Sequence, residues 1–512
     1  MTEKVGTVLN YENLPDVAKF PFVINKQRSL DVKKGLFVYT ESMEGFLIGI
    51  VEKIVLLNEY FSDALTIKSY NDNTNPNILK GLFPSEDFEF AIAIVGCLGI
   101  VQFTDETKQD ISMIKRMSYP ATPGKNVYLV EEETLQAFLG LDPDQGINLG
   151  TIKVSNYPAQ INLNRLLNKH FAILAISGAG KSYLTSVLIE ELLGRQEDHG
   201  TPQIVLIDVH GEYKYLANIQ KLAPDINVQN TRYFQIAVPK LSAYKYQKFQ
   251  KNISNVQVRE LAKYIRYLRR DEEKKHKFSL QDIIEEIELD EDINKNTRQA
   301  LTQWLINLQR LQLFGPQENP QLGNLIREKK LTIFDLSQEI NLRKKQIIVN
   351  YICERLFYLR RMDKIPPFLI VIEEAHQFCP EAGIAKAISK PIIETIAREG
   401  RKFMACLSLI SQRPKKLSVT ALSQMNSKMV LNIKNPYDLK HLMDSSEAIT
   451  KEYAGMVSSL GIGEMLLMGN AVNFPIFLNV RQRKFSTSKD ELTLEDECLR
   501  WQKRKLENQA SD

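Results

Sequence analysis

The sequence is poor in the features that announce a secreted, anchored or disordered chain. Its 5 cysteines, Cys97, Cys353, Cys379, Cys406 and Cys498, are scattered and odd in number, with no C-x-x-C spacing. That excludes a disulfide scaffold or a Cys-rich zinc site and predicts reduced, mostly buried thiols in a cytoplasmic protein. The longest uncharged stretches, Phe90 to Thr104 and Met465 to Val480, fall short of the ~20 residues of a spanning helix. The first is rich in Ile, Val and Gly, and the second is broken by Gly469, Asn470, Asn473 and Pro475. Both are expected to be buried strands and turns, with no membrane partner. Met1 to Leu9 carries Glu3 and Lys4 and lacks the apolar core of a signal peptide, so none is expected. Nor does one charge dominate: 66 Lys+Arg face 62 Asp+Glu, a net +4. Any nucleic-acid contact must therefore use a local patch.

What is present is an apolar fraction of 44% in 512 residues, enough for about three structural units at roughly 150 residues each. Over residues 1–150, short β-branched or aromatic runs (Leu36 to Tyr39, Phe46 to Val51, Ala91 to Val95, Gly99 to Phe103, Asn126 to Val130) are broken by Gly, Pro, Asn and Asp. They predict a small β-barrel domain, followed by a helix over Glu132 to Leu139. Over 151–480 the pattern becomes apolar runs alternating with helices, as in a parallel sheet with crossover helices. The expected core strands are Phe171 to Ala175, Ile204 to Asp208, Thr332 to Leu336, Phe368 to Ile372, Cys406 to Ser411, Met429 to Ile433 and Met465 to Met468. Lys240 to Gln317 reads as a helical insertion whose basic runs, such as Tyr264 to Arg270, are solvated helix faces. Residues 481–512 form a charged tail.

The first core strand runs into Ile176-Ser-Gly-Ala-Gly-Lys-Ser182 and then the helix-like Tyr183 to Leu193. Strand, glycine-bearing loop with Lys-Ser, then helix is the setting of a Walker A phosphate loop. Gly178 and Gly180 let the backbone curl around Ala179 so that its N–H groups face phosphates, and the helix N-terminus adds partial positive charge. Lys181 is predicted to bridge the β- and γ-phosphates of ATP, with the Ser182 hydroxyl on Mg²⁺. Alanine stands at position 175, where the first glycine of the motif is usual.

Phe368 to Ile372 leads straight into Glu373-Glu374-Ala375-His376. Two carboxylates thus emerge at the C-terminal end of a buried strand, where parallel-sheet sites lie. Glu373 is expected beside the Mg²⁺ shell, through water, and Glu374 is expected to polarise the attacking water. A second acidic strand end, Asp208-Val-His210-Gly-Glu212, either clusters near the γ-phosphate, lines a subunit junction, or simply leaves the sheet at Gly211. Gln412, ending the strand beside the acidic pair, is the natural γ-phosphate sensor. Arg401, with Arg398 second, is the candidate arginine delivered across a subunit interface to transition-state charge; surface salt bridges are the alternative for both.

Ser177 to Ser182, Asp208 to Tyr213, Val371 to His376, Ile396 to Phe403 and Ser411 to Pro414 together resemble the HerA branch of the FtsK/HerA translocase superfamily. The resemblance implies an α/β fold: a RecA-like ATPase core, an N-terminal barrel and a C-terminal brace. It also implies a homo-hexameric ring that threads double-stranded DNA and works with a nuclease similar to NurA in end processing. An antiviral assembly with a nuclease or NAD-consuming effector, or a nucleotide-dependent scaffold ring, are the other readings. By the same matching, Lys169 stands where such rings place an arginine that reaches a neighbour's nucleotide. Tyr183, Asn479 and Val480 fall where nucleotide contacts lie. Lys415 and Lys416 are the pore-contact guesses, binding phosphates without reading bases.

Overall fold

The computed structural model describes residues 3–12, 14–58, 61, 63–72, 89–103, 111–249, 253–275, 277–444, 451–485 and 494–509. The chain forms two compact units, 1–165 with 464–481, and 166–463 with 482–512.

In the first unit, strands β1 (Lys4–Val8), β2 (Lys19–Ile24), β3 (Phe37–Ser42), β4 (Gly45–Asn58), β5 (Glu89–Phe103), β6 (Ile111–Lys115) and β7 (Asn126–Leu129) make one antiparallel sheet. Its order is β2-β1-β7-β3-β4-β5-β6, and an extra β2–β5 pairing closes six of the strands into a barrel. Val5, Phe20, Phe22, Leu47, Val95 and Val127 fill it. Sequence punctuation suggested two strands across 91–103, yet β5 is continuous over 15 residues. Its glycines mark a register shift, with Gly49 opposite Cys97 and Ile48 opposite Gly99. A Cβ on Gly49 would lie 2.7 Å from the Gly96 carbonyl oxygen, so glycine permits the close crossing here. The helix Glu132–Leu139 forms where the sequence places it and ends on left-handed Gly140.

The second unit is built on a parallel sheet of strands β10 (His170–Leu174), β11 (Gln203–Asp208), β12 (Ile226–Asn230), β15 (Leu331–Asp335), β16 (Phe368–Ile372), β17 (Ala405–Ser411) and β18 (Met425–Val430). Their order is β12-β15-β11-β16-β17-β10-β18. β10 and β16 are buried at every position, which accounts for their unbroken apolar runs. Edge strand β12, half-exposed and polar, carries no such run and escapes a sequence reading. β18 begins at Met425, four residues ahead of the expected Met429, because Lys428 interrupts its apolar signal. Four helices, Ala243–Phe249, Asn255–Arg270, Leu280–Leu289 and Lys295–Gln309, precede β15. The two-residue strands β13 (Ile236–Ala237) and β14 (Phe314–Gly315) flank them and pair in parallel. Within the run Tyr264 to Arg270, Tyr264 is buried with its hydroxyl 2.6 Å from Asp290, and Arg269 donates to the Pro239 and Leu241 carbonyls. That run is therefore only partly a solvated face.

β8 (Ile147–Ile152), β9 (Pro158–Ile161), β19 (Glu464–Gly469) and β20 (Ile476–Val480) belong to the first unit. Met465 to Met468, an expected core strand, forms β19 and pairs antiparallel with β20. Its short Gly469-to-Pro475 connection can make only a hairpin. Parts of the expected barrel (73–88 and 104–110), helical insertion (250–252 and 276) and tail (486–493 and 510–512) lie outside the described residues. Among the described residues no helix is long and apolar enough to cross a membrane.

Lys428 is 5% exposed, donates to the Met425 carbonyl at 3.0 Å, and is pushed by burial down to about 8 from 10.5. The unfolded chain therefore binds more protons between these values, and stability rises as pH climbs through that window. Lys428→Met is expected to raise the melting temperature by a few degrees at pH 7, with the gain shrinking towards pH 10. Thermal unfolding at both pH values checks this.

Candidate active site

The loop after β10 is shaped by two left-handed glycines, Gly178 at φ +78° and Gly180 at φ +98°. Side chains at those angles would be strained. Helix Lys181–Leu193 starts immediately after Gly180, and residues 184–190 are buried, so the loop rests on a rigid support. Ala175 is fully buried, and its N–H donates to the Ser411 carbonyl at 3.3 Å. The methyl group at this position thus fills core space and leaves the loop clear.

The loop opens on a cavity of about 880 Å³. Of the sequence-predicted residues, Gly178, Gly180, Lys181, Ser182, Tyr183, His210, Glu212, Glu374 and Gln412 line it. Ala179, between the two glycines of the loop, is buried. The chemistry concentrates at the end of β16. Glu374, 1% exposed at its side chain, pairs with Lys181 through Oε1 and Nζ at 2.5 Å. Its backbone sits at φ +47°, a left-handed conformation that costs a non-glycine residue about 1–3 kcal/mol and persists only where surroundings enforce it. His376 Nδ1 lies 3.2 Å from the other oxygen, Oε2.

Glu373 is fully buried, and its Oε2 accepts the Val209 N–H at 3.1 Å. Burial first, then the negative charges of Asp208 and Glu212, push its carboxyl up to about 8. Its Oε1 is buried with no hydrogen-bond partner. A buried carboxyl oxygen without a partner fits a hard divalent cation or its water shell, whose charge would favour the ionised form, as does the Ser182 hydroxyl at the head of the helix.

Asp208 does something different. Its carboxylate accepts the N–H groups of His210, Gly211, Glu212 and Tyr213 at 2.7–3.2 Å, so it builds the turn that turns His210 and Glu212 towards the cavity. Burial raises its pKa while those N–H groups oppose the rise. Of the three readings open for this segment, Asp208 follows the one in which the chain leaves the sheet at Gly211.

Arg398 and Arg401 are exposed and lie before the first residue of β17, whereas Gln412 follows its last. A strand of 7 residues separates them from their own cavity, about 20 Å at strand rise. Lys169 likewise precedes β10, where its Nζ lies 3.0 Å from the Asn426 side-chain oxygen once that amide is oriented to satisfy its neighbours. Asn479 and Val480 lie on β20 of the first unit, opposite Thr151 and Gly150 of β8. The cavity lining comes wholly from the second unit.

Five lining residues were not anticipated: Ser186, Lys214, Tyr215, Asn218 and Arg483. Arg483 lies over the Tyr183 ring at 4.2 Å and donates its backbone N–H to the Tyr183 hydroxyl at 2.8 Å. The tail is fixed there because buried Glu190, on the loop's own helix, accepts the N–H groups of Lys484 and Phe485. No local motif marks Arg483; the buried acidic residue in an apolar helix was the available clue. Lys214 pairs with Asp335, at the end of β15, at 2.5 Å.

Comparison with known proteins agrees with this arrangement. The family described as "Helicase HerA, central domain" matches residues 147–356. A protein of Methanocaldococcus jannaschii named a probable DNA double-strand break repair helicase HerA is 30% identical over 424 residues, covering 70% of this chain and 81% of that protein. The DNA double-strand break repair helicase HerA of Pyrococcus furiosus is 26% identical over 553 residues, covering 94% and 92%. Among solved structures, VirB4 of Thermoanaerobacter pseudethanolicus superimposes with a TM-score of 0.51 at 14% identity, over 69% of this chain and 100% of that one; the likeness is one of fold. With phosphate loop, acidic strand end and sensor strand assembled on a RecA-like sheet, and with relatives matching over most of its length, the chain belongs to the HerA family of P-loop ATPases.

Proposed function

We propose that the chain is an ATP-driven, ring-forming translocase on double-stranded DNA that works in DNA end processing with a partner nuclease. The observation that carries this reading is the buried Lys181–Glu374 pair at 2.5 Å, opening on the same cavity as Gln412. A cation for phosphate and a carboxylate for water stand together there. In this reading the loop N–H groups and Lys181 hold the β- and γ-phosphates, Glu374 orients and polarises the attacking water, and Gln412 reports the γ-phosphate to the loop behind it. Ser182 and, through water, Glu373 would hold Mg²⁺, which when bound supplies charge neutralisation between the phosphates. Tyr183 and Arg483 would border the nucleotide, and Asn479 and Val480 are proposed as further contacts from the brace.

Lys169, Arg398 and Arg401 fit action in trans, since each lies at the strand ends away from its own cavity. Action in trans needs a neighbouring subunit, and the functional unit is proposed as a ring, a homo-hexamer. The 1–150 barrel, the 151–480 core with its 240–317 insertion and the 481–512 tail are proposed as its working parts. Lys415 and Lys416, both exposed, are the proposed DNA contacts; Lys415 lies 4.7 Å from the ring of exposed Tyr437. Contacts of that kind hold phosphates and weaken steeply with salt. The relatives' names, which speak of double-strand break repair, support the end-processing role. Its test is ATP turnover measured with and without duplex DNA.

A further inference from the structure

Glu374 has a close polar neighbour on each side, and only one of them, Lys181, belongs to the phosphate machinery. On the other side His376 Nδ1 stands 3.2 Å from Glu374 Oε2 and 3.2 Å from the hydroxyl of Ser411, the last residue of β17. The Ser411 hydroxyl oxygen accepts the Arg413 N–H at 3.1 Å. A short run of polar contacts thus joins the buried carboxylate to the start of the loop that carries Gln412, Lys415 and Lys416. The imidazole is itself largely enclosed, with 12% of its side chain exposed.

The direction of these contacts follows from donor chemistry. Nδ1 is hydrogen-bonded to the Ser411 hydroxyl, while Glu374 Oε2, 3.2 Å away, is buried with no hydrogen-bond partner; an ionised carboxylate only accepts, so the imidazole can serve it only with a proton on Nδ1. When a bound phosphate draws Lys181 away, Oε1 loses its cation. A buried carboxylate with no remaining anchor would rotate, and misplacement on the ångström scale costs rate heavily.

We propose that His376 is a positioning residue for ATP hydrolysis: it holds Glu374 in the water-activating orientation after Lys181 has left, and ties that orientation to Ser411 and the loop 412–416. The inference rests on the assignment of Glu374 given above. Because the tie runs to the loop proposed to meet DNA, it supplies a physical route by which the loop's arrangement reaches the carboxylate.

The test compares wild type, His376→Ala, His376→Asn and Glu374→Gln by steady-state ATP turnover, by equilibrium binding of a non-hydrolysable ATP analogue and by thermal melting. In His376→Ala, kcat is expected to fall about tenfold or more, while KM and analogue affinity stay within about twofold. His376→Asn, which keeps a short donor, recovers part of kcat and serves as the comparison should the alanine variant fold poorly. A second readout needs no turnover. In wild type, analogue binding changes the hydrogen exchange of the amides from 412 to 416, and in His376→Ala that change is lost. Unchanged kcat in His376→Ala overturns the inference, as does a kcat and KM loss that merely follows a lowered melting temperature. If Glu374→Gln keeps full turnover, the assignment of Glu374 falls and the inference with it; if Glu374→Gln is inactive and His376→Ala is normal, only the inference falls.

Discussion

Glu374→Gln is expected to bind ATP at least as tightly as wild type and to hydrolyse it about 10²–10⁴ times more slowly, the range for loss of a positioned proton acceptor. The two halves of that expectation have separate origins. The amide is nearly isosteric and keeps an oxygen on the same stem, so the packing around residue 374 survives, but it cannot draw a proton from water. Binding is expected to hold or tighten because the empty site ties Lys181 to Glu374 at 2.5 Å, a bond that phosphate must displace. Neutralising the carboxylate removes that competition. Analogue binding combined with single-turnover hydrolysis separates the two effects, and retained turnover rejects the role given to Glu374.

Lys181→Ala is expected to weaken nucleotide binding by about 100-fold or more, since a charge-assisted contact to phosphate is lost. It also does something that the phosphate loop alone would not suggest. Glu374 is 1% exposed at its side chain, and removing its cation leaves a buried, uncompensated carboxylate, a change that typically costs about 3–5 kcal/mol. Lys181→Ala is therefore expected to melt at a visibly lower temperature without nucleotide. The double variant Lys181→Ala/Glu374→Gln should regain much of that stability and none of the binding. Melting curves of the two variants distinguish the electrostatic account from a simple loss of ligand contact. Equal melting temperatures for both would show that the pair contributes nothing to the empty protein.

Much of this site was legible because its signals are local. A strand, two glycines, Lys-Ser and a helix must lie together, and an apolar run ending in Glu373-Glu374 presents them at the C-terminal end of a parallel sheet. The acidic turn was less legible. Asp208 carries the same charge as Glu373, yet four backbone N–H groups converge on it, and no spacing rule separates a turn-building aspartate from a catalytic one. Arg483 was invisible because it arrives from some 300 residues away in the chain. The role of His376 depends on a contact with Ser411 across neighbouring strands, which register alone decides. In the fold, glycine carries two meanings: it ends the helix at Gly140 but leaves β5 continuous at Gly96 and Gly99.

The near balance of 66 basic and 62 acidic residues is what a ring with a charged inner surface and an otherwise neutral exterior would have. Hydrolysis at the Lys181–Glu374 site is proposed to drive movement on a duplex. This coupling is tested most directly by the steady-state ATP turnover rate with and without duplex DNA, alongside the mass of the particle in the same buffer. A ring-sized particle is expected, with turnover that rises several-fold with duplex DNA, a rise that fades as salt is raised. Turnover indifferent to DNA at every salt concentration, or turnover by a particle of single-chain mass, would contradict it.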